Sequence, residues 1–184
     1  AAERTRKRVK QSDGPVVLVG HSYGGKLITE MGDLPNVGAL VFIAAFAPDA
    51  GESAGAISQA NPPEAFANIQ PDSDGFLWVA QDKYHQSFCQ DLSEEEAYVM
   101  AVTQKAPVGG TFGDNVTAPA WKVKPNWYQI SSGDRMLNPE NQKMMAARMN
   151  PRKTITLDAS HASLASRPQE VAAFIVEAAN AVSA

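Results

Sequence analysis

Four short runs of apolar residues divide the chain and predict the strands of one sheet. They are rich in β-branched and aromatic residues and cover residues 16–19, 39–45, 127–132 and 153–157. The first two lack polar alternation, which is typical of strands buried on both faces of a parallel sheet. Helical patterns separate the runs, and the last one places apolar residues at Val171, Phe174, Ile175 and Ala178. The pattern therefore predicts right-handed βαβ units in an α/β fold.

The first predicted strand runs directly into Gly-x-Ser-x-Gly at residues 20–24, and a helical start follows at once. A nucleophile elbow needs this strand, turn and helix, with the serine strained at the strand end. We expect Gly20 and Gly24 to leave room where strand and helix meet. Ser22 would then stand at a helix N-terminus, with the Tyr23 amide as an oxyanion-hole donor. An ordinary turn with a serine between glycines is the alternative.

Two further candidate residues follow predicted strands. Asp134 comes after the strand at 127–132, and His161 comes after the strand at 153–157. Both lie at carboxyl ends of strands, where catalytic groups collect in open α/β sheets. In this arrangement Ser22 is the nucleophile, His161 is the general base, and Asp134 fixes the imidazole tautomer.

Other interpretations stand beside this set. Asp49 follows the second strand and is a rival acid, although turn chemistry also explains it, as a turn or capping role explains Asp134. His161 has the alternative of a plain loop histidine. We expect His21 to point away from the direction of serine attack, and His85 to be a surface or hydrogen-bonded histidine.

Residues 51–120 break the alternation of strands and helices. They contain scattered Pro, Gly and aromatic residues, and Ser93 with Glu96 predicts a capping box at the start of one helix. We interpret the segment as a cap whose aromatic residues line a substrate pocket. The alternative is that these aromatics form the core of the cap itself.

Composition and charge exclude several classes of function. The 184 residues are 44% hydrophobic and carry a net charge of −4, which predicts a soluble domain that does not bind nucleic acid. The basic run at residues 3–10 is interpreted as a solvated helix face rather than a nucleic-acid or membrane patch. No run is long enough to span a bilayer, and the single cysteine, Cys89, excludes an intrachain disulfide. We expect a cytoplasmic protein.

The motifs together resemble the α/β-hydrolase fold, in the branch of small carboxylesterases, plant methylesterases and hydroxynitrile lyases. The resemblance rests on Val-Leu-Val-Gly-His-Ser-Tyr-Gly-Gly at 17–25, Ala-Ala-Phe-Ala-Pro at 44–48, Ser-Gly-Asp-Arg-Met at 132–136 and Ser-His-Ala at 160–162. It implies a parallel-sheet, three-layer sandwich with a helical cap insertion, divided into a core of residues 1–50 and 121–184 and a cap of 51–120. It also implies hydrolysis of a small carboxylic ester through an acyl-enzyme on Ser22, with no metal and no organic cofactor. The lyases carry a lysine where this chain has Ala162, which disfavours lyase chemistry.

The resemblance also exposes a departure at the N-terminus. The family places about four strands before the elbow strand, whereas here one predicted helix precedes it. We therefore expect an N-terminally truncated chain, or one that self-associates through an exposed sheet edge. The second oxyanion-hole donor of the family is expected in the same missing part. A catalytically impaired fragment or a small-molecule-binding module is therefore the alternative function.

Overall fold

The computed structural model describes residues 2–183 of the chain and builds them around one parallel sheet. The strands are β1 Val16–His21, β2 Val37–Ile43, β3 Ile69–Pro71, β4 Leu77–Val79, β5 Asn126–Ser131 and β6 Lys153–Leu157. The helices are α1 Ala2–Lys10, α2 Gly24–Met31, α3 Ala54–Ala60, α4 Tyr84–Phe88, α5 Glu94–Thr103, α6 Pro139–Met149, α7 Ser163–Ser166 and α8 Pro168–Ser183. The main sheet has the order β1-β2-β5-β6, and every neighbouring pair in it is parallel.

Helices cover both faces of this sheet. Successive strand residues point to opposite faces, so Leu40 of β2 packs with Ile28 of α2 and Met145 of α6, whereas Val41 packs with Phe174 of α8. The molecule therefore has three layers, helix, sheet and helix, and the predicted α/β sandwich is confirmed.

Local sequence signals place several boundaries. Strand β6 covers the predicted residues 153–157. Helix α6 begins at Pro139, and the Asn138 side chain caps it by accepting a hydrogen bond from the Glu140 N–H at 2.9 Å. It ends at Met149, and the capping residue Asn150 has a left-handed φ of 47°. The predicted capping box of Ser93 and Glu96 at the start of α5 is also present.

One prediction about burial is wrong. Strand β1 is not buried on both faces, since Val19 is 41% exposed. The reason is its place in the sheet: β1 pairs with β2 alone and forms one edge of the four described strands. The apolar run therefore identified a strand correctly but not its position.

The segment between β2 and β5 packs over the carboxyl ends of the strands. It contains α3, α4 and α5, and also the antiparallel hairpin of β3 and β4. The predicted helical cap therefore also contains strands. Part of it has a core of its own, formed around Val79, Tyr84, Cys89 and Ala97. Helix α3 differs, because its Ile57 joins the main core. The cap boundaries at residues 51 and 120 stay a prediction.

The basic N-terminal run forms α1, as expected of a solvated helix face. Val9 is buried in the main core, while Arg6 donates to the Glu30 carbonyl at 3.3 Å and pairs with Asp33. Among the described helices, none combines the length and the apolar character that crossing a membrane requires.

Candidate active site

Ser22 lies in a strained turn between β1 and α2. Its φ is 52°, a left-handed value that is uncommon for a residue with a side chain. Three backbone hydrogen bonds hold it: the Ser22 N–H donates to the Ile43 carbonyl at 3.3 Å, and the Ser22 carbonyl accepts from Gly25 and Phe46, each at 3.0 Å. The end of β2 therefore clamps the serine in the conformation that an elbow requires.

The glycines around this turn differ in how much space they need. A Cβ on Gly20 would come within 2.7 Å of the Gly24 carbonyl oxygen, and a Cβ on Gly25 within 2.3 Å of the Phe46 carbonyl oxygen. A Cβ on Gly24 would meet nothing within 4 Å. The prediction for Gly20 is confirmed, but the one for Gly24 is wrong. Gly25 is the second position that excludes a side chain, because α2 packs there against the chain that leaves β2.

Asp134 and His161 form a buried, hydrogen-bonded pair. The Asp134 Oδ2 atom lies 2.7 Å from His161 Nδ1, and both side chains are almost fully buried. The other carboxylate oxygen, Oδ1, accepts from the backbone N–H groups of Met136 at 2.8 Å and Leu137 at 2.9 Å. The turn after β5 and the loop after β6 thus bring together two residues that are 27 positions apart.

Gln142 completes the surroundings of Asp134, and the sequence analysis did not single it out. Its Nε2 donates to Asp134 Oδ2 at 2.8 Å, and its Oε1 accepts from the Ser131 N–H at 3.0 Å. Gln142 is fully buried on α6, in the same stripe as Met145 and Met149. A glutamine at a core-facing position of an amphipathic helix was the signal that could have identified it.

Ser22 and His161 line one cavity. Within the described part of the chain, no hydrogen bond joins Ser22 Oγ to the imidazole, and such bonds are often loose before substrate binds. The structure therefore brings the predicted serine, acid and histidine to one place, while their catalytic roles stay predictions.

His21 contradicts the expected orientation. Its ring lies 4.7 Å from the His161 ring between centroids, and its Nε2 lies 2.7 Å from the His161 carbonyl oxygen. Since a carbonyl only accepts, Nε2 carries the proton. Burial, followed by the neighbouring His161, lowers the pKa of His21 to about 4. His21 is therefore a neutral partner of the loop that carries His161, and it lines the same cavity.

The cavity has a volume of about 660 Å³ and is mostly apolar. The cap covers it, and Tyr23 contributes to this cover because its hydroxyl donates to the Thr111 carbonyl at 3.1 Å. The apolar side chains that line it are Phe46, Phe66, Ile69, Leu77, Val79, Phe88, Phe112 and Met136. Some of the predicted cap aromatics thus reach the cavity, whereas Tyr84 contributes both to the cavity and to the core of the cap.

Two cap residues also fix the loops of the acid and the base. Gln90 Nε2 donates to the Gly133 carbonyl at 2.6 Å, next to Asp134. The Asp91 carboxylate accepts from the Ser160 N–H at 2.8 Å, next to His161. The cap is therefore tied to the site that it covers.

The remaining candidates lie elsewhere. Asp49 forms an ion pair with Lys122, which lowers the pKa of its carboxyl group, and His161 has Asp134 as its acid partner. His85 is hydrogen-bonded to the Leu92 carbonyl at 2.9 Å. In the described residues, no group of three or more His, Cys, Asp or Glu side chains is arranged to hold a metal ion.

Comparison with known proteins gives this site a context. Residues 1–174 match the alpha/beta hydrolase family. The chain is 40% identical over 89 residues to the carbendazim hydrolyzing esterase of Nocardioides sp., which covers 47% of this chain and 35% of that protein. It is 25% identical over 190 residues to methylesterase 3 of Arabidopsis thaliana. This match covers 91% of this chain and 70% of that protein. A crystal structure of a pyrethroid hydrolase from Sphingobium faniae superimposes with a TM-score of 0.82 at 21% identity. The superposition covers 98% of this chain and 76% of that chain.

The fold and the site define a hydrolase of the α/β class. The chain belongs to the alpha/beta hydrolase family, because the family match spans most of its length. The relatives named esterase and methylesterase support the prediction of a carboxylic-ester hydrolase. The resemblance predicted from the sequence is thus confirmed.

Proposed function

We propose that the chain cleaves small carboxylic esters by forming an acyl-enzyme on Ser22. The observation that carries this proposal is the buried contact of 2.7 Å between His161 and Asp134, beside a cavity that also exposes the strained Ser22. A serine, a base and an orienting acid in one site are the elements of nucleophilic ester cleavage.

The hydrogen bonds around Asp134 support a specific tautomer of His161. Because Asp134 accepts two backbone N–H groups on Oδ1 and the Gln142 amide on Oδ2, its carboxylate acts as an acceptor. His161 Nδ1 therefore carries the proton in this contact, and the lone pair is on Nε2. This is the nitrogen that a general base would use toward Ser22.

The reaction then proceeds in two halves. Ser22 Oγ bonds to the carbonyl carbon while its proton moves to His161 Nε2, and the tetrahedral intermediate places its oxyanion near the Tyr23 N–H. Collapse breaks the bond to the alcohol, which leaves with the proton from His161. Water next attacks the acyl carbon and gives its proton to His161, and the carboxylic acid departs as Ser22 recovers the proton.

The cavity favours an ester with an apolar acyl or alcohol group. Its lining is mostly aromatic and aliphatic, and its volume of about 660 Å³ suits a small organic molecule. Two relatives are named as acting on carbendazim and on pyrethroids. We extend to this chain the ester chemistry, and not those compounds.

The test is burst-phase release of 4-nitrophenol from a short-chain 4-nitrophenyl ester. We expect one equivalent of fast release per active site, and its loss in Ser22→Ala. Ser73→Ala is the matched control, because Ser73 is exposed in the loop between β3 and β4. A burst that persists in Ser22→Ala would exclude the acyl-enzyme on this serine. No release by the unmodified chain would favour binding without turnover.

A further inference from the structure

Two hydroxyl-bearing side chains in the cavity have no partner in the protein. Ser58 is 6% exposed and Tyr84 is 4% exposed, and both line the cavity that contains Ser22. Between residues 2 and 183, neither hydroxyl hydrogen-bonds to another residue. A hydroxyl group of a cavity-lining residue that has no partner in the protein is free to hydrogen-bond to a molecule bound in the cavity.

Helix α3 shows that the position of Ser58 is not accidental. Ala54 and Ile57 occupy the core face of this helix, whereas Gly55, Ser58 and Gln59, at the i, i+3 and i+4 spacing, line the cavity. The cavity face of α3 is therefore small and polar, although most of the surrounding cavity wall is apolar. A helix face that contacted only an apolar molecule would be expected to carry apolar side chains, and this face does not.

Two threonine hydroxyls in other helices pair with their own helix. Thr29 donates to the Gly25 carbonyl at 2.8 Å, and Thr103 donates to the Val99 carbonyl at 2.7 Å. Ser58 does not use the corresponding bond to the Ala54 carbonyl. Its hydroxyl is therefore available to a molecule in the cavity.

Tyr84 lies on the histidine side of the same cavity. Its ring stacks on Phe88 with centroids 5.0 Å apart, and Phe88 meets the His161 ring edge-on at 4.8 Å. Burial raises the pKa of the Tyr84 phenol to about 12, so the group stays a hydrogen-bond donor at neutral pH. Gln104, by contrast, also lines the cavity but bonds to Val79 and Ala101.

We propose that the Ser58 and Tyr84 hydroxyls hydrogen-bond to oxygen atoms of the substrate, which is an apolar ester with a carbonyl or hydroxyl oxygen away from the scissile bond. This inference rests on the proposed function for the ester, but the recognition itself requires no turnover. A hydroxyl group that loses its water on binding discriminates against a substrate that lacks the matching oxygen.

Binding to Ser22→Ala tests the proposal without chemistry. The ligands are octanamide and its 4-, 5-, 6- and 7-oxo analogues, measured by isothermal titration. Scanning the oxygen along the chain finds a position that one of the hydroxyls reaches. We expect one oxo isomer to bind about tenfold more tightly than octanamide, the effect of about one hydrogen bond. Equal binding of all five ligands, or no binding at all, would overturn the proposal.

Two variants then assign the effect to the hydroxyls. Ser58→Ala and Tyr84→Phe, each added to Ser22→Ala, remove one hydroxyl group and little else. Loss of the oxo preference in either, with octanamide affinity within about twofold, supports the proposal. Persistence of the preference in both overturns it. Tyr98→Phe is the control, because Tyr98 is 61% exposed on α5 and does not line the cavity.

The same ligands separate this inference from the proposed function. An oxo preference in binding, together with no burst from the 4-nitrophenyl ester, would retain the subsite and reject the acyl-enzyme. A burst on Ser22 without any oxo preference would retain the acyl-enzyme and reject the subsite.

Discussion

At the scale of single residues, the choice between Asp134 and Asp49 has a direct test. Asp134→Asn keeps the size of the side chain but offers an amide N–H or a weaker acceptor to His161 Nδ1, which favours the wrong tautomer. We expect kcat to fall by about 10⁴-fold with KM little changed. Steady-state kinetics with the 4-nitrophenyl ester measures both values.

Asp49→Asn is the matched control for that variant. Asp49 is paired with Lys122 outside the cavity, so its amide should leave kcat within about twofold, as expected for a partly exposed ion pair. A loss in Asp49→Asn comparable with that in Asp134→Asn would make Asp49 the catalytic acid instead.

His21 gives a prediction about stability and pH. Its pKa lies at about 4 in the folded chain, against an ordinary value of 6.5. Because the unfolded chain binds the proton more readily, His21 favours unfolding as the pH falls from 6.5 toward 4, by at most about 3 kcal/mol. His161 lowers the pKa of His21 and Asp134 raises it, but the effect of Asp134 does not restore the ordinary value.

Urea unfolding at pH 7 and pH 5 measures this contribution. The unmodified chain should lose more unfolding free energy between the two values than His21→Gln does, by about 2 kcal/mol. Comparing the two proteins cancels the titration of groups that do not interact with His21. An equal pH dependence in both proteins would show that His21 is not held neutral.

At the scale of secondary-structure elements, the packing of α2 against the chain after β2 sets which glycine is replaceable. Gly25→Ala would place a Cβ 2.3 Å from the Phe46 carbonyl oxygen, and backbone is hard to move. We expect a loss of about 3 kcal/mol or more in unfolding free energy. Gly24→Ala meets no neighbour within 4 Å and should be neutral or stabilising by up to about 1 kcal/mol, since alanine favours helix.

Thermal unfolding of the two alanine variants decides this prediction. The pair is closely matched, because the residues are adjacent at the start of the same helix. Similar melting temperatures for both would mean that the elbow relaxes to accept a side chain at Gly25.

The elements also show what a sequence can predict. Strand β6 and helix α6 were placed well because their signals are local: β-branched residues, an Asn cap, a Pro at the first position. The contacts of Gln142 and His21 could not be predicted, because their partners lie on other elements. How α6, β5 and the loop after β6 are placed against one another is decided by the tertiary fold. Gly25 was missed for the same reason, since the obstacle is Phe46 on another segment. Asp134 and His161 were located by their positions after strands, whereas their contact needed the fold.

At the scale of the whole molecule, the two edges of the main sheet differ in character. The outer strand β6 carries exposed Lys153, Thr154 and Thr156. The opposite edge, β1, contains Val16–His21 with Val19 41% exposed, and it has no charged side chain. Charged residues on edge strands prevent pairing with another sheet, so β6 is protected in this way and β1 is not. The sequence predicts self-association through an exposed sheet edge, and β1 is the edge among the described strands that fits this prediction.

Sedimentation velocity over a range of concentrations tests this association. We expect the unmodified chain to form dimers as the concentration rises and Val19→Lys to shift toward the monomer, since a lysine at the centre of an edge strand opposes pairing. Val102→Lys is the control, because Val102 is 52% exposed on α5, away from the sheet. If the unmodified chain stays monomeric at every concentration, or if both lysine variants dissociate equally, β1 is not the interface. The contrast works because both substitutions add the same charge to an exposed valine, so only the position in the fold distinguishes them.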